Sequence, residues 1–329
     1  MNLRTTYLGF DLPHPLIPGA SPLVDDLDTV RRLEDAGAPM IVMHSLFEEQ
    51  ILAEQLSLGR AMEHGDESYA EALTYLPRPA DFRLGPHEYL DHLRRVKAAV
   101  GVPVVGSLNG TTEGGWLEYA RHIQAAGADA LELNIYDVAT DLDEPGGAIE
   151  ARALRVVRSV REAVSIPLAV KLSPFYTSVP HFVRALDDLG ADGVVLFNRF
   201  YQPDIDVEQL EVIRVNLSSP AELPLRLRWL AVLWGRVRAS LAVTGGVHSA
   251  VDAIKAVMAG ASGVQMVSAL LHHGPEHLAR VRADMAEWLE AHDYDSLLQA
   301  QGSMSLERCD DPHAYERANY MRILQSWRG

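Results

Sequence analysis

The sequence predicts a (β/α)8 TIM barrel, and three observations support this fold class. First, eight short apolar runs rich in Val, Ile and Leu end in small or polar residues, as expected of strands buried on both faces of a parallel sheet. Second, amphipathic helical segments alternate with these runs. Third, the G-x-G-x-x-G signature that an open doubly wound sheet places after its first strand is absent. Eight strands alternating with helices are typical of a barrel of about 250 residues.

Each predicted strand holds four to six consecutive apolar or near-apolar residues and is bounded by Gly, Pro, Asn or Ser. Such runs are too short to be buried helices. In chain order the predicted strands are 15–21, 40–45, 102–109, 130–137, 167–173, 193–198, 241–246 and 263–268.

Four predicted helices, at 27–38, 116–128, 179–191 and 249–261, place apolar residues at three- and four-residue spacing and end in Gly-Ala. Glycine at that point suits a left-handed helix C-cap, so the repeated unit is helix, glycine cap and strand. The cap glycines are Gly37, Gly127, Gly190 and Gly260. Two further helices that lead into strands are predicted at 89–103 and 151–167.

The whole chain, 1–329, is predicted to be a single domain, with 1–14 closing the barrel floor and 275–329 forming C-terminal helices. Two connections, 46–88 after the second strand and 199–228 after the sixth, are too long for plain loops. Both follow strand ends at the face where a TIM barrel keeps its active site. They are therefore candidate lids or pocket walls, the alternative being tolerated surface insertions.

Composition restricts the classes of function. The chain carries 29 basic and 45 acidic side chains, a net charge of −16, which argues against binding to nucleic acid or to an anionic membrane surface. The single cysteine excludes a disulfide framework, a CxxC zinc site and a four-thiolate iron–sulfur cluster held by this chain alone. The histidines include no HExxH, and no metal site is predicted. With no apolar leader and no apolar run of about 18 residues, a cytoplasmic location is expected.

The candidate site residues lie at the carboxyl ends of the predicted strands, where a TIM barrel places its chemistry. Lys171 is the most informative of them, because burying an unpaired ammonium in an apolar strand costs several kcal/mol. It must meet an anion, an electron-rich cofactor or a carbonyl, unless it snorkels to solvent. The complete ring of strand-end residues is Ala20, Ser21, His44, Ser45, Ser107, Asn109, Asn134, Asp137, Lys171, Ser173, Asn198, Gly245, Gly246, Val267 and Ser268.

Gly245 and Gly246 form a second candidate feature, since they precede a helix and have Val267 and Ser268 beside them in the predicted barrel. Loops after strands seven and eight are the usual phosphate site of this fold, and glycine lets backbone N–H groups approach phosphate oxygens. A glycine pair alone is equally consistent with a turn.

Three more polar residues carry alternative interpretations. Asn134 and Asn198 each offer a donor and an acceptor, suited to an amide or a uracil-like edge, or they are structural loop residues. Asp137 is a candidate general base, or a turn or N-cap residue.

Several stretches resemble the dihydroorotate dehydrogenase family of flavin mononucleotide (FMN) enzymes. The resemblance runs in order over about 16–305, and it implies FMN bound on a (β/α)8 barrel. The stretches that carry it are SLNG (107–110), LELN (131–134), VKLSP (170–174), the strand-six Asn198, GGVHSAVDAIKAVMAGASGVQM (245–266) and HGPEHLARV (273–281).

The resemblance also implies roles for individual residues. Lys171 would lie by the flavin pyrimidine edge, where its charge stabilises reduced flavin. Asn134 would sit at the junction of flavin and substrate, and Asn198 would contact substrate. The implied phosphate and cofactor-lining residues are Gly245, Gly246, Val267, Ser268, Ala20, Ser21 and Ser45.

The chain departs from the family in its substrate-reading residues. The family has a cysteine or serine where this chain has Asp137, and an asparagine where it has Ala139. His44 stands where the family usually has lysine, and segments 74–82 and 216–224 replace an asparagine-bearing loop and a glycine-rich stretch. The family's usual substrate is therefore in question, whereas FMN binding is not.

These observations lead to three functional hypotheses. The first is an FMN-dependent oxidoreductase acting on a small dihydropyrimidine-like or related CH–CH substrate, with Asp137 or a neighbour taking a proton. The second is a lyase or aldolase that uses Lys171 as a Schiff-base amine. The third is a non-catalytic FMN-binding relative. Arg78 and Arg83 are candidate clamps for a substrate carboxylate, or ordinary surface charges.

The predicted partners are a small-molecule substrate and a soluble electron acceptor, because the N-terminus lacks the hydrophobic anchor of quinone-linked relatives. A homodimer and a partner electron-transfer subunit are both left open.

Overall fold

A computed structural model describes residues 1–51, 85–110, 117–199, 203–214 and 217–315, together with 321 and 324–326. Its strands are β1 (Thr5–Tyr7), β2 (Phe10–Leu12), β3 (Leu16–Pro18), β4 (Ile41–Val42), β5 (Leu46–Phe47), β6 (Val104–Asn109), β7 (Ala130–Asn134), β8 (Leu168–Leu172), β9 (Gly193–Leu196), β10 (Pro203–Asp206), β11 (Glu211–Arg214), β12 (Ser240–Thr244) and β13 (Gly263–Met266). All eight predicted strands are present among them.

Parallel pairing joins these eight strands in the order β3-β13-β12-β9-β8-β7-β6-β4, with the short β5 continuing beside β6. The end strands β3 and β4 lie next to each other, so the sheet is a nearly closed barrel. The predicted (β/α)8 fold is confirmed. Neighbours in sequence are neighbours around the barrel, as right-handed crossovers with intervening helices require.

Helices lie between these strands and also follow β13, the last strand in the chain. They are α1 (Leu27–Asp35), α2 (Pro86–Ala99), α3 (Leu117–Ala125), α4 (Gly146–Ala163), α5 (Val179–Asp188), α6 (Leu223–Leu233), α7 (Ala250–Ala259), α8 (Ser268–His273), α9 (His277–Ala291) and α10 (Leu297–Ala300). All six predicted helices appear among them. The four predicted cap glycines have φ between 86° and 124°, the left-handed conformation expected of a helix C-cap.

The N-terminal hairpin of β1 and β2 packs against the barrel interior. Tyr7, Leu8 and Leu12 are buried in one cluster with inward-facing residues of the barrel strands, Val105 and Ala169 among them. The fit is close: a Cβ added at Gly193 on β9 would lie 2.5 Å from the Leu8 side chain.

The connections after the second and sixth barrel strands, 46–88 and 199–228, differ in how much of each the structure describes. Most of 46–88 lies outside the described residues, which resume at 85. The connection after β9 contains the antiparallel hairpin of β10 and β11, with Asp206 opposite Glu211 at its turn. Helices α9 and α10 follow the barrel, and the Leu297 N–H donates to the Asn2 carbonyl.

His14, between β2 and β3, is buried as a neutral imidazole. The Leu16 N–H donates to Nδ1 over 3.3 Å, so Nδ1 carries no proton, and Nε2 donates to the Gly37 carbonyl at 2.7 Å. Burial is the main cause that lowers its pKa from 6.5 to about 4, with the charge of Arg282 adding to the effect. Protonation of Nδ1 would break the bond from Leu16.

We therefore expect an acid-dependent loss of stability. An unfolded His14 takes up a proton near pH 6.5 and the folded one near pH 4, so the free energy of unfolding falls as pH drops through this window. The loss amounts to about 3 kcal/mol. Urea titrations between pH 7 and 4 should show a smaller decline for His14→Gln. An equal decline in both proteins would contradict this assignment.

Candidate active site

Buried polar side chains collect at the carboxyl ends of the barrel strands. Because all eight strands are parallel, these ends meet at one rim. The buried members include Ser21, Ser107, Asn109, Asn134, Lys171, Ser173, Thr244, Gln265 and Ser268. Polar groups withdrawn from water are retained in folded proteins chiefly where they pair or serve a ligand, so this rim is the candidate active site.

Lys171 is buried on β8 and meets an anion, one of the three partners that the sequence left open. Its Nζ lies 3.2 Å from Oε1 of Glu132 on β7, and their side chains are 6% and 1% exposed. The other oxygen, Oε2, accepts a 2.6 Å hydrogen bond from Gln265 of β13. Sequence reasoning missed Glu132 and Gln265. The sequence signal for Glu132 was its charge within the apolar run ALELN. It lies two positions before Asn134 and therefore on the same face of β7.

Asn134 and Asn198 come together at the mouth of the barrel. Asn134 is opposite Lys171 in the β7–β8 register, and the Asn198 Nδ2 donates to its Oδ1 at 3.0 Å. Two amides and an ammonium therefore share one side of the rim. This set can donate to and accept from a planar amide-containing ring.

The two glycines after β12 lie on another part of the rim. Gly245 and Gly246 have φ of 84° and 83°. A Cβ at Gly246 would lie 2.7 Å from the backbone N of Leu223, and one at Gly245 would meet the Arg226 guanidinium at 2.7 Å. Both positions thus need glycine for conformation and for space.

Ser218 links these glycines to Ser268. Its Oγ accepts from the Gly246 N–H at 3.2 Å and lies 2.9 Å from the Ser268 Oγ, while its N–H donates to that same oxygen. The His248 Nε2 is 2.9 Å from the Ser218 carbonyl. Ser218 was not singled out from the sequence, because it lies in a long connection whose path no periodicity indicates.

The end of β3 packs against the end of β13. The Gly19 N–H donates to the Met266 carbonyl at 3.1 Å, and a Cβ at Gly19 would lie 2.8 Å from the Val267 side chain. Ala20 packs on the interior cluster. The Ser21 hydroxyl is buried and has no hydrogen-bond partner among the described residues. A buried hydroxyl without a partner is what a ligand-facing residue shows before its ligand binds.

His44 and Ser45 follow the second barrel strand, and each side chain contacts a residue of another rim segment. The Ser45 Oγ lies 2.7 Å from the Ser107 Oγ on β6, and the Ser107 N–H donates to the Tyr89 hydroxyl at 2.9 Å. The His44 Nδ1 is 3.3 Å from an Asp25 carboxylate oxygen. These bonds tie the β3, β4 and β6 ends of the rim together.

Asp137 lies three residues beyond the end of β7 and is ion-paired. Arg152 of α4 donates to its Oδ2 at 2.5 Å and also to Glu144, and these carboxylates raise the pKa of the guanidinium. Burial, followed by the charges of Asp137 and Glu150, raises the pKa of the Tyr176 phenol. Arg152 was not predicted as a site residue, because mid-helix arginines are usually solvated.

A cleft of about 220 Å³ opens beside Asp137. It lies between the loops that follow β7 and β8. Its walls are Asp137, Val138, Ala139, Gly146, Ile149, Glu150, Ser173, Phe175, Tyr176 and Thr177.

Some predictions stay untested by these contacts. Arg78 and Arg83 lie outside the described residues. Within the described ranges, no three His, Cys, Asp or Glu side chains are close enough to hold a metal ion. In that same part of the chain, none of the helices has the length and apolar character needed to cross a membrane.

The fold and the rim define a TIM-barrel protein with buried polar residues at its strand ends, and comparison with known proteins identifies the family. Residues 84–289 match the family model described as Dihydroorotate dehydrogenase. This match covers more than half of the chain, so the protein belongs to the dihydroorotate dehydrogenase family.

Individual relatives agree with the family model. The chain is 32% identical over 180 residues to the "Dihydroorotate dehydrogenase B (NAD(+)), catalytic subunit" of Geobacillus sp. WCH70, covering 52% of this chain and 57% of the relative. It is 31% identical over 215 residues to the protein of that name from Geobacter sp. M21, covering 63% and 70%. The Methanocaldococcus jannaschii protein of that name is 25% identical over 302 residues, covering 88% and 94%.

The glycine requirement at the rim can be tested by stability. Gly246→Ala places a Cβ against the Leu223 backbone at a φ of 83°, so we expect the free energy of unfolding to fall by about 1–3 kcal/mol. Gly147→Ala in α4 is the matched control, because a Cβ there meets no atom within 4 Å and alanine favours helix. Urea denaturation that gives equal values for both variants would argue against the strained turn.

Proposed function

We propose that the protein is an FMN-dependent oxidoreductase that oxidises a small dihydropyrimidine-like or related CH–CH substrate. The observation that carries the proposal is the buried Lys171 at the rim, opposite Asn134 and paired to a carboxylate rather than released to solvent. Family membership supports the same reading. The proposal treats the chain, 1–329, as one FMN-binding unit acting in the cytoplasm.

The residues at the rim fit FMN. The Ser21 hydroxyl is buried and finds no hydrogen-bond partner in the described part of the chain, and the backbone of Gly245 and Gly246 has a conformation that only glycine adopts readily. In this proposal Gly245, Gly246, Val267 and Ser268 would hold the phosphate, while Ala20, Ser21 and Ser45 line the cofactor. When bound, FMN would supply a two-electron acceptor that takes a hydride equivalent from substrate.

Lys171 and Asn134 would contact the cofactor on the side of the rim away from the proposed phosphate site. The ammonium of Lys171 provides positive charge, and the Asn134 amide lies at the junction with substrate. Asn198 would bind substrate, since its amide already contacts the Asn134 Oδ1 at 3.0 Å. Together the two amides suit the C(=O)–NH edge of a reduced pyrimidine.

Asp137 would take the proton that leaves substrate carbon. Its carboxylate is ion-paired with Arg152, and a carboxylate is the form able to accept a proton. The family has a cysteine or serine at this position. A substrate with a more acidic C–H than dihydroorotate is therefore the better match, because a carboxylate is a weaker base than a thiolate.

The Schiff-base alternative is not favoured. A lysine attacks a carbonyl only as the neutral amine. The Lys171 Nζ instead lies 3.2 Å from a Glu132 carboxylate oxygen, in an ion pair that a Schiff base would give up. A purified protein without the flavin absorption band near ~450 nm, trapped through Lys171 by borohydride and a carbonyl compound, would restore that alternative.

Electrons would leave through a soluble acceptor. The relatives are named as a catalytic subunit of an NAD(+)-linked enzyme, which supports an electron-transfer partner subunit for this chain as well. A homodimer is the other assembly compatible with the proposal. Co-purification of the native complex, followed by mass measurement, distinguishes the two.

Anaerobic reduction tests the proposed reaction. We expect yellow purified protein whose flavin absorption is bleached by one of a panel of dihydropyrimidines, dihydroorotate included, in stopped-flow mixing. If dithionite bleaches the yellow protein but no dihydropyrimidine of the panel does, the non-catalytic hypothesis gains support.

The role of Asp137 is tested by Asp137→Asn. We expect the rate constant of substrate-dependent bleaching to fall by about 10²–10⁴-fold, the contribution of a positioned general base, while FMN stays bound. Asp143→Asn is the matched control, because Asp143 is an exposed carboxylate in the same loop. Equal rates for parent, variant and control would remove Asp137 from the mechanism.

A further inference from the structure

We propose that Glu132 is a positioning residue that fixes the Lys171 ammonium at the rim and neutralises its charge, thereby setting the reduction potential of the bound flavin. The inference rests on the proposed FMN function and adds a residue to it. It concerns one contiguous set of groups inside the barrel, Glu132, Lys171, Gln265 and Tyr7.

Glu132 bridges the barrel interior. It stands on β7, contacts Lys171 on the adjacent β8 and contacts Gln265 on β13. In the sheet order, β13 is separated from β7 by β12, β9 and β8, so the Gln265 contact crosses the interior. Both carboxylate oxygens are thus engaged, which holds the side chain, and with it Lys171, in one orientation.

The barrel interior below the Glu132 carboxylate is largely apolar. Tyr7 of the N-terminal hairpin lies in the apolar interior cluster with Ala130 and Ala169, the inward residues below Glu132 and Lys171 on their own strands. Burial, and then the negative charge of Glu132, raises the pKa of the Tyr7 phenol well above its usual range, so Tyr7 stays neutral. Charge on Lys171 is therefore balanced by Glu132 and not by Tyr7.

The balance matters for the cofactor, because reduced flavin carries more negative charge than oxidised flavin. A lone ammonium in a low-dielectric barrel would favour the reduced form strongly. Pairing with Glu132 makes the site close to neutral while leaving Lys171 in place. The pair therefore keeps reduced flavin able to pass its electrons to an acceptor.

Glu132→Gln removes the charge and keeps the shape. The Gln265 amide has a buried Oε1 without a partner among the described residues, so rotating this amide lets it accept from the new Gln side chain. Redox titration of the FMN-loaded protein against a reference dye should show the ratio of affinities for reduced and oxidised FMN rising by about tenfold, which is about 30 mV for a two-electron couple. Glu132→Asp, which keeps the charge, should return the ratio toward the parent value.

Asp187→Asn is the matched control. Asp187 is a buried carboxylate on α5 that accepts from the backbone N–H groups of Arg238 and Ala239. Neither of these partners belongs to the Glu132–Lys171 pair. We expect its FMN potential to equal that of the parent. A Glu132→Gln potential that is unchanged, lowered, or matched by the control would overturn the inference.

A second comparison covers the case in which Glu132→Gln fails to fold. Lys171→Met leaves Glu132 as an unpaired charge, and the double variant Glu132→Gln/Lys171→Met removes both charges. We expect the double variant to have the higher FMN potential, by a similar factor of about ten in the affinity ratio. Equal potentials would overturn the inference. If the parent protein binds no FMN at all, the proposed function fails instead, so the two failures are distinguishable.

Discussion

The interior of a barrel excludes most water, so a charge buried there needs a partner. The N-terminal hairpin fills the lower interior with Tyr7 and Leu8, and the Tyr7 hydroxyl has no hydrogen-bond partner among the described residues. In the upper interior Lys171 pairs with Glu132, whose other carboxylate oxygen accepts from Gln265. A charged pair costs more to bury than a hydrophobic substitute of similar volume, so its presence at the rim indicates a role other than stability.

Parallel strands then bring the remaining groups together. Asn134 and Lys171 share a register position, Asn198 contacts Asn134, and the turn at Gly245 lies on the same rim. Asp137 and its Arg152 pair extend the site outward, beside the cleft that follows β7. The arrangement separates a charged and amide-bearing side, suited to a flavin ring and substrate, from a glycine-rich side suited to phosphate.

The barrel and its rim were predictable because strand ends, helix caps and apolar runs are local patterns. The need of Lys171 for an anion, a cofactor or a carbonyl followed from its burial alone. The identity of its partner did not, since Glu132 contacts it across a strand pairing that periodicity does not specify. Ser218 and Arg152 were missed for related reasons. One lies in an irregular connection, and the other sits mid-helix, where only the path of the loop after β7 brings it to Asp137.

A crystal structure of the protein with bound FMN is the decisive measurement. We expect the phosphate against Gly245, Gly246 and Ser268, the flavin ring beside Lys171 and Asn134, and a Lys171–Glu132 contact close to the present 3.2 Å. FMN bound in another cleft, or bound at the rim with Lys171 turned away from both the ring and Glu132, would contradict it.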